Sequence, residues 1–362
     1  MSRALLVTLI LSFSFFSGCG HKPTAREENP FAFLVYESSG AGTGIMDQSP
    51  GFPGKPFPTT EELAPTPGAP FLFEKDVMGT IARIRIWGDT EDIGRVRADE
   101  AFDRIEQVDR EMSLFNPDST LSRINRLAGG EPVAVDEDLM KVLKRAIEIA
   151  KLSNGAFDPT VGPLVVLWRS YLEQRQIPDE PTISQSKALV DYRKIELNEK
   201  EMTVRLKEAG MMLDLGAIAK GYAADSAAKT LKAAGVKTAT VEIGGDIYAF
   251  GHKPGDQPFR IPIENPYPNQ EKPVGIVIGT DMGVVTSGNY SQYVYLAGQR
   301  YSHFIDPRSG RAIAGLASCT VTGPDAMTSD AMATTVCVLG TGPGKVFVQK
   351  VNQWYLAQPK KK

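Results

Sequence analysis

Three groups of residues have types and spacings that could do chemistry. Asp330 and Thr334 stand four apart in an apolar run, so on a helix their oxygens project from one face, one turn apart. A carboxylate and a hydroxyl, completed by backbone carbonyls and a ligand phosphate, form a hard oxygen donor set that suits Mg²⁺ and is poor for zinc. The same pair serves as readily on a solvated or capping face. Asp214 and Lys220 flank a glycine turn in the stretch Leu213–Asp225, at a joint between an apolar strand end and an alanine-rich helix. Open sheets bind ligands at such joints. His303 lies three residues before Asp306, where a strand end runs into a proline-glycine turn. It could accept a proton or bind phosphate, or be a partly buried ring satisfied by backbone. Gly244-Gly245 and Thr286–Asn289 offer close backbone approach and N–H groups suited to a phosphate or a flavin edge, or are plain turns. Neither matches a dinucleotide fingerprint or a P-loop, which argues against a Rossmann dehydrogenase and a P-loop kinase.

The elements that must position these groups are legible from periodicity. Met211, Met212, Leu213 and Leu215 read as a buried strand end. Ile218, Ala219, Tyr222, Ala223, Ala227, Leu231 and Ala234 then recur at helical spacing up to Gly235, and Thr238–Ile243 returns as a strand. Strand, helix and strand in so few residues predict a crossover unit. Upstream, Thr80, Ile81, Ile84 and Ile86 predict a strand ended by Gly88. A helix follows with Asp89 or Thr90 as cap and Ile93, Val96, Phe102, Ile105, Val108 and Met112 on its apolar face. Ser119 caps a short helix carrying Ser122 and Asn125, and Asp136 opens a long one that stops at Asn154-Gly155, with the loop Gly155–Pro163 after it. Ile195 to Leu206 reads as a hairpin about Asn198. Strands are expected at Phe259–Ile263, Val274–Gly279, Gly283–Thr286, Tyr293–Leu296 and Ala317–Thr322, with helices at Ala326–Leu339 and Val346–Trp354. Crossover and hairpin connections together indicate a mixed α/β or α+β domain.

The chain has 40 basic and 43 acidic residues among 362, with no basic block except Lys360–Lys362. Nucleic acid is therefore not expected as a partner. Arg3, a mostly apolar run from Ala4 to Phe16, and Ser17-Gly18-Cys19 read as a lipoprotein-type signal over 1–18, too short to span a bilayer, leaving Cys19 as the lipidated first residue. Phe16 replaces the usual leucine three positions before that cysteine, and an ordinary secreted chain is the other reading. Residues 19–70, rich in Pro, Gly, Ser and Thr and patterned only over Phe31–Tyr36, read as a tether, with a loosely packed extension of the fold as the alternative. Residues 71–357 form one body. Cys319 and Cys337 could pair in an exported chain or lie buried as small hydrophobes, and carry no assigned function.

Taken in order, Met78–Thr80, Met112–Asn125, Gly155–Thr160, Leu213–Gly221, Ile243–Asp246, Thr286–Gly288, His303–Pro307 and Ser329–Thr334 resemble the motifs of the FAD:protein FMN transferases, the ApbE flavin-trafficking family. The resemblance spans roughly residues 75 to 355, and the ordered set is far more specific than any member. It implies an ApbE-type fold and an enzyme that splits FAD at its pyrophosphate, joins the FMN half to a threonine hydroxyl of a target protein and releases AMP, with Mg²⁺ required. The resemblance further implies that Met78, Phe115, Ala156, Phe157, Asp158, Asp214, Lys220 and Ile305 hold FAD: Phe115 and Phe157 offer flat apolar faces, Asp158 and Asp214 accept adenine or flavin N–H groups or only brace the loop, and Lys220 adds a positive point charge or is held in place by an ion pair. Asp330 and Thr334, with the backbone oxygens of Ala217 and Ala333, would hold the metal. His303, with Asp306, would be the catalytic base or phosphate orienter. Phe115 stands where many members carry tyrosine, which bears on the balance between transfer and hydrolysis. The implied partners are FAD and threonine-bearing extracytoplasmic subunits of membrane electron-transfer complexes, met on the periplasmic side of a bacterial membrane. A Mg²⁺-dependent FAD pyrophosphatase and a non-catalytic FAD-binding lipoprotein are the alternatives.

Overall fold

The computed structural model describes residues 29–37, 68–267, 272–288, 293–296, 299–313 and 316–358. The expected signal, Cys19, most of the expected tether and Asn289 lie outside them. Strand β1 covers Ala32–Glu37, and β2 (Phe71–Val77) and β3 (Thr80–Trp87) form a hairpin. Helices α1 (Glu91–Met112) and α2 (Thr120–Arg126) follow, then β4 (Val133–Ala134) and helices α3 (Glu137–Leu152), α4 (Gly162–Glu173) and α5 (Glu180–Lys187). Next come β5 (Ile195–Asn198), β6 (Thr203–Leu206), helix α6 (Ala219–Ala233), β7 (Thr238–Ile243) and β8 (Asp246–Phe250). The chain continues through β9 (Phe259–Ile263), β10 (Gly275–Gly279), β11 (Met282–Gly288), β12 (Tyr293–Leu296), β13 (Gln299–Ser302), β14 (Ile305–Asp306) and β15 (Arg311–Ala312). Strand β16 (Leu316–Gly323) and helices α7 (Ala326–Leu339) and α8 (Thr341–Leu356) complete it.

Seven strands make the central sheet in the order β1-β16-β11-β8-β7-β3-β2, and every neighbouring pair is antiparallel. The period of two sorts its side chains. Ala82, Ile84 and Ile86 of β3, Val241 and Ile243 of β7 and Val285 of β11 enter the main core with helices α1, α6 and α7. Their alternates face the other way. Arg83 and Arg85 share Glu242 across the β3–β7 ladder at 3.1 and 3.2 Å, while Val284 packs with Phe259 and Ile261 of the β9–β10 hairpin. A satellite cluster of Leu164, Trp168, Ile183 and Ile305 joins α4 and α5 to β14, and Trp168 Nε1 donates to the Gly310 carbonyl at 2.8 Å.

Several expectations change against this frame. The crossover unit does not form: Met211–Leu215 makes one parallel bridge, Met212 to Val161, and joins no sheet, so β7 pairs antiparallel with β3. The mixed α/β class stands. Ser119 and Asp136 cap as expected, and Thr90 rather than Asp89 caps α1 because Asp89 is held by Arg97 at 2.7 Å. Ile93 and Val96 are exposed, and Gly94, Ala98 and Ala101 face the core in their place. Small residues there let α1 approach closely: a Cβ on Gly94 would already be 3.2 Å from the Phe73 ring. Residues 31–37 are not tether. β1 adds to the sheet edge beside β16, Phe31 is buried, and the Asn352 side chain clamps its backbone through an N–H and a C=O at 2.8 and 3.0 Å. Strands β2 and β8 and helices α4 and α5 were not anticipated, and α8 starts five residues before Val346. Cys319 and Cys337 are buried free thiols, the Cys337 Sγ lying 3.6 Å from the Ser287 carbonyl.

Candidate active site

Helices α6 and α7 bring the chemistry together where they cross at Gly221. A Cβ there would lie 2.3 Å from the Ala326 carbonyl oxygen and 2.9 Å from the Asp330 Cβ, so only glycine permits the approach. The Gly221 N–H donates to Asp330 Oδ2 at 3.1 Å, and Asp330 is buried. One turn along α6, Asp225 accepts the main-chain N–H groups of Ala326 and Met327, each at 2.9 Å, while Asp325 accepts that of Thr328 at 2.7 Å. Side-chain oxygens at a helix N-terminus satisfy its unpaired main-chain donors. Burial, then the neighbouring Asp325, pushes the Asp225 carboxyl up to about 8.

Lys220, beside Gly221, bonds the Asp246 carboxylate, and its Nζ lies 3.7 Å from Asp330 Oδ2. Burial opposes the ammonium charge, yet the two carboxylates hold its pKa above the usual lysine range. Burial and Asp330 raise the Asp246 carboxyl to about 7 against the pull of Lys220. One turn beyond Asp330, Thr334 Oγ1 is 3.2 Å from Ser287 Oγ on β11. Ala217 sits in the turn before α6 and the wholly buried Ala333 directly before Thr334; each has only backbone oxygen to give. No group of three or more His, Cys, Asp or Glu among the described residues is arranged for a metal. A donor set of one buried carboxylate, one hydroxyl and main-chain oxygens fits Mg²⁺, which keeps waters and substrate phosphate in its shell.

The stretch carrying Asp214 is threaded between two clamps. Asn125 pairs with the backbone of Leu213 in both directions, at 2.7 and 3.0 Å, and the Asp214 N–H donates to the Pro159 carbonyl at 2.8 Å. Asp214 accepts from the Gly216 N–H at 2.8 Å, and burial raises its pKa. Met78 and Gly79 form the two-residue turn of the β2–β3 hairpin with φ of 54° and 70°. A left-handed methionine is strained by roughly 1 kcal/mol, a cost typical of ligand-contact turns. Phe115 is exposed, with the Arg169 guanidinium 4.4 Å from its ring centre.

Five of the residues that the resemblance implies have contacts of their own in the structure. Phe157 is turned into the main core and offers no ring to a ligand, and Ala156 beside it is equally buried, so that pair has only backbone to present. Asp158 braces its loop, accepting from the Thr160 N–H at 2.8 Å, the Thr160 hydroxyl at 2.6 Å and the Tyr192 N–H at 3.0 Å; burial raises its pKa. Ile305 is packed in the satellite cluster. Asp306 pairs bidentately with Arg308 at 2.9 and 3.0 Å, and its carbonyl accepts the Gly310 N–H at 2.8 Å, which closes that turn. His303 itself is exposed between β13 and β14, its ring centre 4.1 Å from that of Phe304. A cavity of about 180 Å³ opens beside Asp158 and Arg308, and none of Lys220, Asp246, Asp330 or Thr334 lines it. Asp225, Asp246, Asn125 and Ser287 carry no assigned role in the sequence reading. Asp225 had a signal, since four residues from Gly221 it must share that face of α6; Asp246 and Ser287 only stand inside motifs.

A family model described as the ApbE family matches residues 78–356. The protein named FAD:protein FMN transferase in Treponema pallidum is 35% identical over 280 residues, covering 73% of this chain and 77% of its own. The one of that name in Vibrio cholerae is 36% identical over 252 residues, covering 69% and 75%. The crystal structure of the ApbE protein of Thermotoga maritima superposes with a TM-score of 0.71 at 30% identity, covering 79% of this chain and 92% of that one. The apo flavinyl transferase ApbE of Pseudomonas stutzeri gives 0.69 at 30% identity, over 78% and 89%. With the Lys220–Asp246–Asp330 cluster at the crossing of α6 and α7, these likenesses establish that the chain belongs to the ApbE family.

Proposed function

We propose that this chain is an FAD:protein FMN transferase that moves the FMN part of FAD onto a threonine hydroxyl of a target protein in a Mg²⁺-dependent reaction, with AMP leaving. The observation that carries the reading is the pairing of one lysine with two buried carboxylates, Asp246 and Asp330, one turn from Thr334. Storage of FAD needs no such arrangement beside its pyrophosphate. Relatives bearing the name of that activity match over most of the chain.

In this reading the threonine oxygen attacks the phosphorus of the FMN half, the bond from that phosphorus to the bridging oxygen breaks, and the bridging oxygen departs with AMP. Asp330, Thr334 and the backbone oxygens of Ala217 and Ala333 would hold Mg²⁺, which would supply charge neutralisation for the phosphates. Lys220 adds a fixed positive point charge beside them. His303 takes the threonine proton or orients the phosphate. Phe115, exposed on its loop, supplies the flat apolar face that Phe157 cannot. Arg3, the apolar run Ala4–Phe16 and Ser17-Gly18-Cys19 support export and a lipid anchor at Cys19, which puts the acceptor threonines on extracytoplasmic subunits of membrane electron-transfer complexes. No helix among the described residues is long and apolar enough to cross a membrane.

The test is incubation of the chain from residue 29 onward with FAD, Mg²⁺ and a threonine-bearing acceptor domain, following AMP and acceptor mass. The expected result is AMP together with an acceptor heavier by FMN less water. AMP with an unchanged set of acceptors would make the protein a pyrophosphatase, and absence of AMP would make it a carrier. Asp330→Ala should abolish turnover, and full activity in that variant would remove the metal assignment.

A further inference from the structure

We propose that Asp246 is a positioning residue that serves as the dedicated counter-ion of Lys220 and thereby leaves the Asp330 carboxylate available to a divalent cation. The inference rests on the reading of Asp330 as a metal ligand. Three charged groups share one partly closed space: Lys220 on the first turn of α6, Asp246 at the start of β8, and Asp330 in the middle of α7. The ammonium could neutralise either carboxylate. It bonds Asp246, and it stands 3.7 Å from Asp330 Oδ2, beyond the range of a charged hydrogen bond. Asp330 keeps the Gly221 N–H, a donor that a metal-bound carboxylate can retain on the same oxygen.

The backbone enforces this choice. Asp246 closes the β7–β8 hairpin opposite Ile243 and pairs with Val285 of β11, so sheet neighbours on both sides fix its position. The left-handed Gly244 and Gly245, φ 58° and 93°, turn the chain tightly enough to bring the aspartate under the start of α6. Lys220 is held by α6, which crosses α7 at the adjacent Gly221 and cannot slide without collision. An ammonium freed from Asp246 has less than 1 Å to travel to a normal bond with Asp330. There it would compete directly with a cation for the same oxygen. Asp246 therefore acts through Lys220 and does not itself have to touch the substrate.

The test is calorimetric titration of the full chain, without FAD, using Mn²⁺ as a probe for hard-oxygen sites. The set comprises wild type, Asp246→Asn, Lys220→Met, the double variant and Asp330→Ala. Asp246→Asn should bind Mn²⁺ at least about tenfold more weakly. The double variant should regain affinity to within about threefold of wild type, and Lys220→Met alone should bind more tightly than wild type. FAD turnover should stay low in the double variant, because the lysine is gone. A merely structural aspartate predicts no rescue, so a double variant no better than Asp246→Asn would overturn the proposal. If Asp246→Asn does not fold, Lys220→Met decides alone: weaker binding there overturns the proposal. Equal Mn²⁺ binding by wild type and Asp330→Ala would instead overturn the metal reading on which it rests.

Discussion

Gly221→Ala probes the geometry on which the whole site depends. The new methyl would stand 2.3 Å from the Ala326 carbonyl oxygen, 2.6 Å from its carbon and 2.9 Å from the Asp330 Cβ, against an ordinary contact that starts at 3.4 Å. Two of these obstacles are backbone, so no rotamer change relieves them, and α6 and α7 must part by about 1 Å. Alanine gains about 1 kcal/mol in helix propensity; overpacking of this kind costs about 1–3 kcal/mol. With rigid backbone as the obstacle the upper end applies, leaving a net loss of roughly 1–2 kcal/mol, or a fall in melting temperature of about 2–4 °C for a body of this size. The effect on rate should be larger than that on stability. Asp330 would lose its bond from the Gly221 N–H and shift against Lys220, and a misplacement of about 1 Å in a catalytic site costs on the order of 100-fold. Thermal unfolding and initial rates of AMP release at saturating Mg²⁺ measure the two. Gly342→Ala, on a helix with nothing within 4 Å of the added Cβ, is the control and should lose neither. A Gly221→Ala protein with wild-type melting temperature and rate would refute the close-crossing argument.

Three other perturbations follow from the structure. Phe31→Ala removes a buried ring packed edge-on against Tyr355 at 5.2 Å and should cost about 3 kcal/mol in urea unfolding; deletion through residue 37 should be similarly harmful. Asp225 has a carboxyl at about 8 in the folded chain against an ordinary 3.8, so between those values the native state holds a proton that the unfolded chain has lost. Its contribution is complete at low pH and is lost as pH rises through about 8. Asp225→Asn should flatten that part of the stability profile, and an unchanged slope would count against the burial of this group. Phe115→Ala removes the ring under Arg169, worth about 0.5–1 kcal/mol at an exposed site; FAD KM should rise several-fold with kcat nearly kept, and an unaltered KM would remove Phe115 from the FAD site.

Local rules carried much of this protein. A helix bonds each residue to one four positions away, so caps and apolar spacing are visible in a short window. Ser119, Asp136 and the limits Ala326–Leu339 followed from that, as did the shared face of Asp330 and Thr334. The ordered motifs were equally legible and led to the family. Pairings across the chain were not, because side-chain type says nothing about which distant partner arrives. β1 looked like tether until β16, nearly three hundred residues later, supplied its ladder and Asn352 its clamp. Met211–Leu215 had the composition of a strand but lay where no neighbouring strand could pair with it beyond one bridge. The loop residues Phe157 and Asp158 sit in a motif whose ligand role the sequence suggests, but only packing shows that Phe157 lies in the core and that Asp158 bonds Thr160. Lys220 was found from its motif, while its pairing with Asp246 and its distance from Asp330 were decided only when α6, β8 and α7 met. Periodicity reports which face of an element is buried; it does not report what that face is buried against.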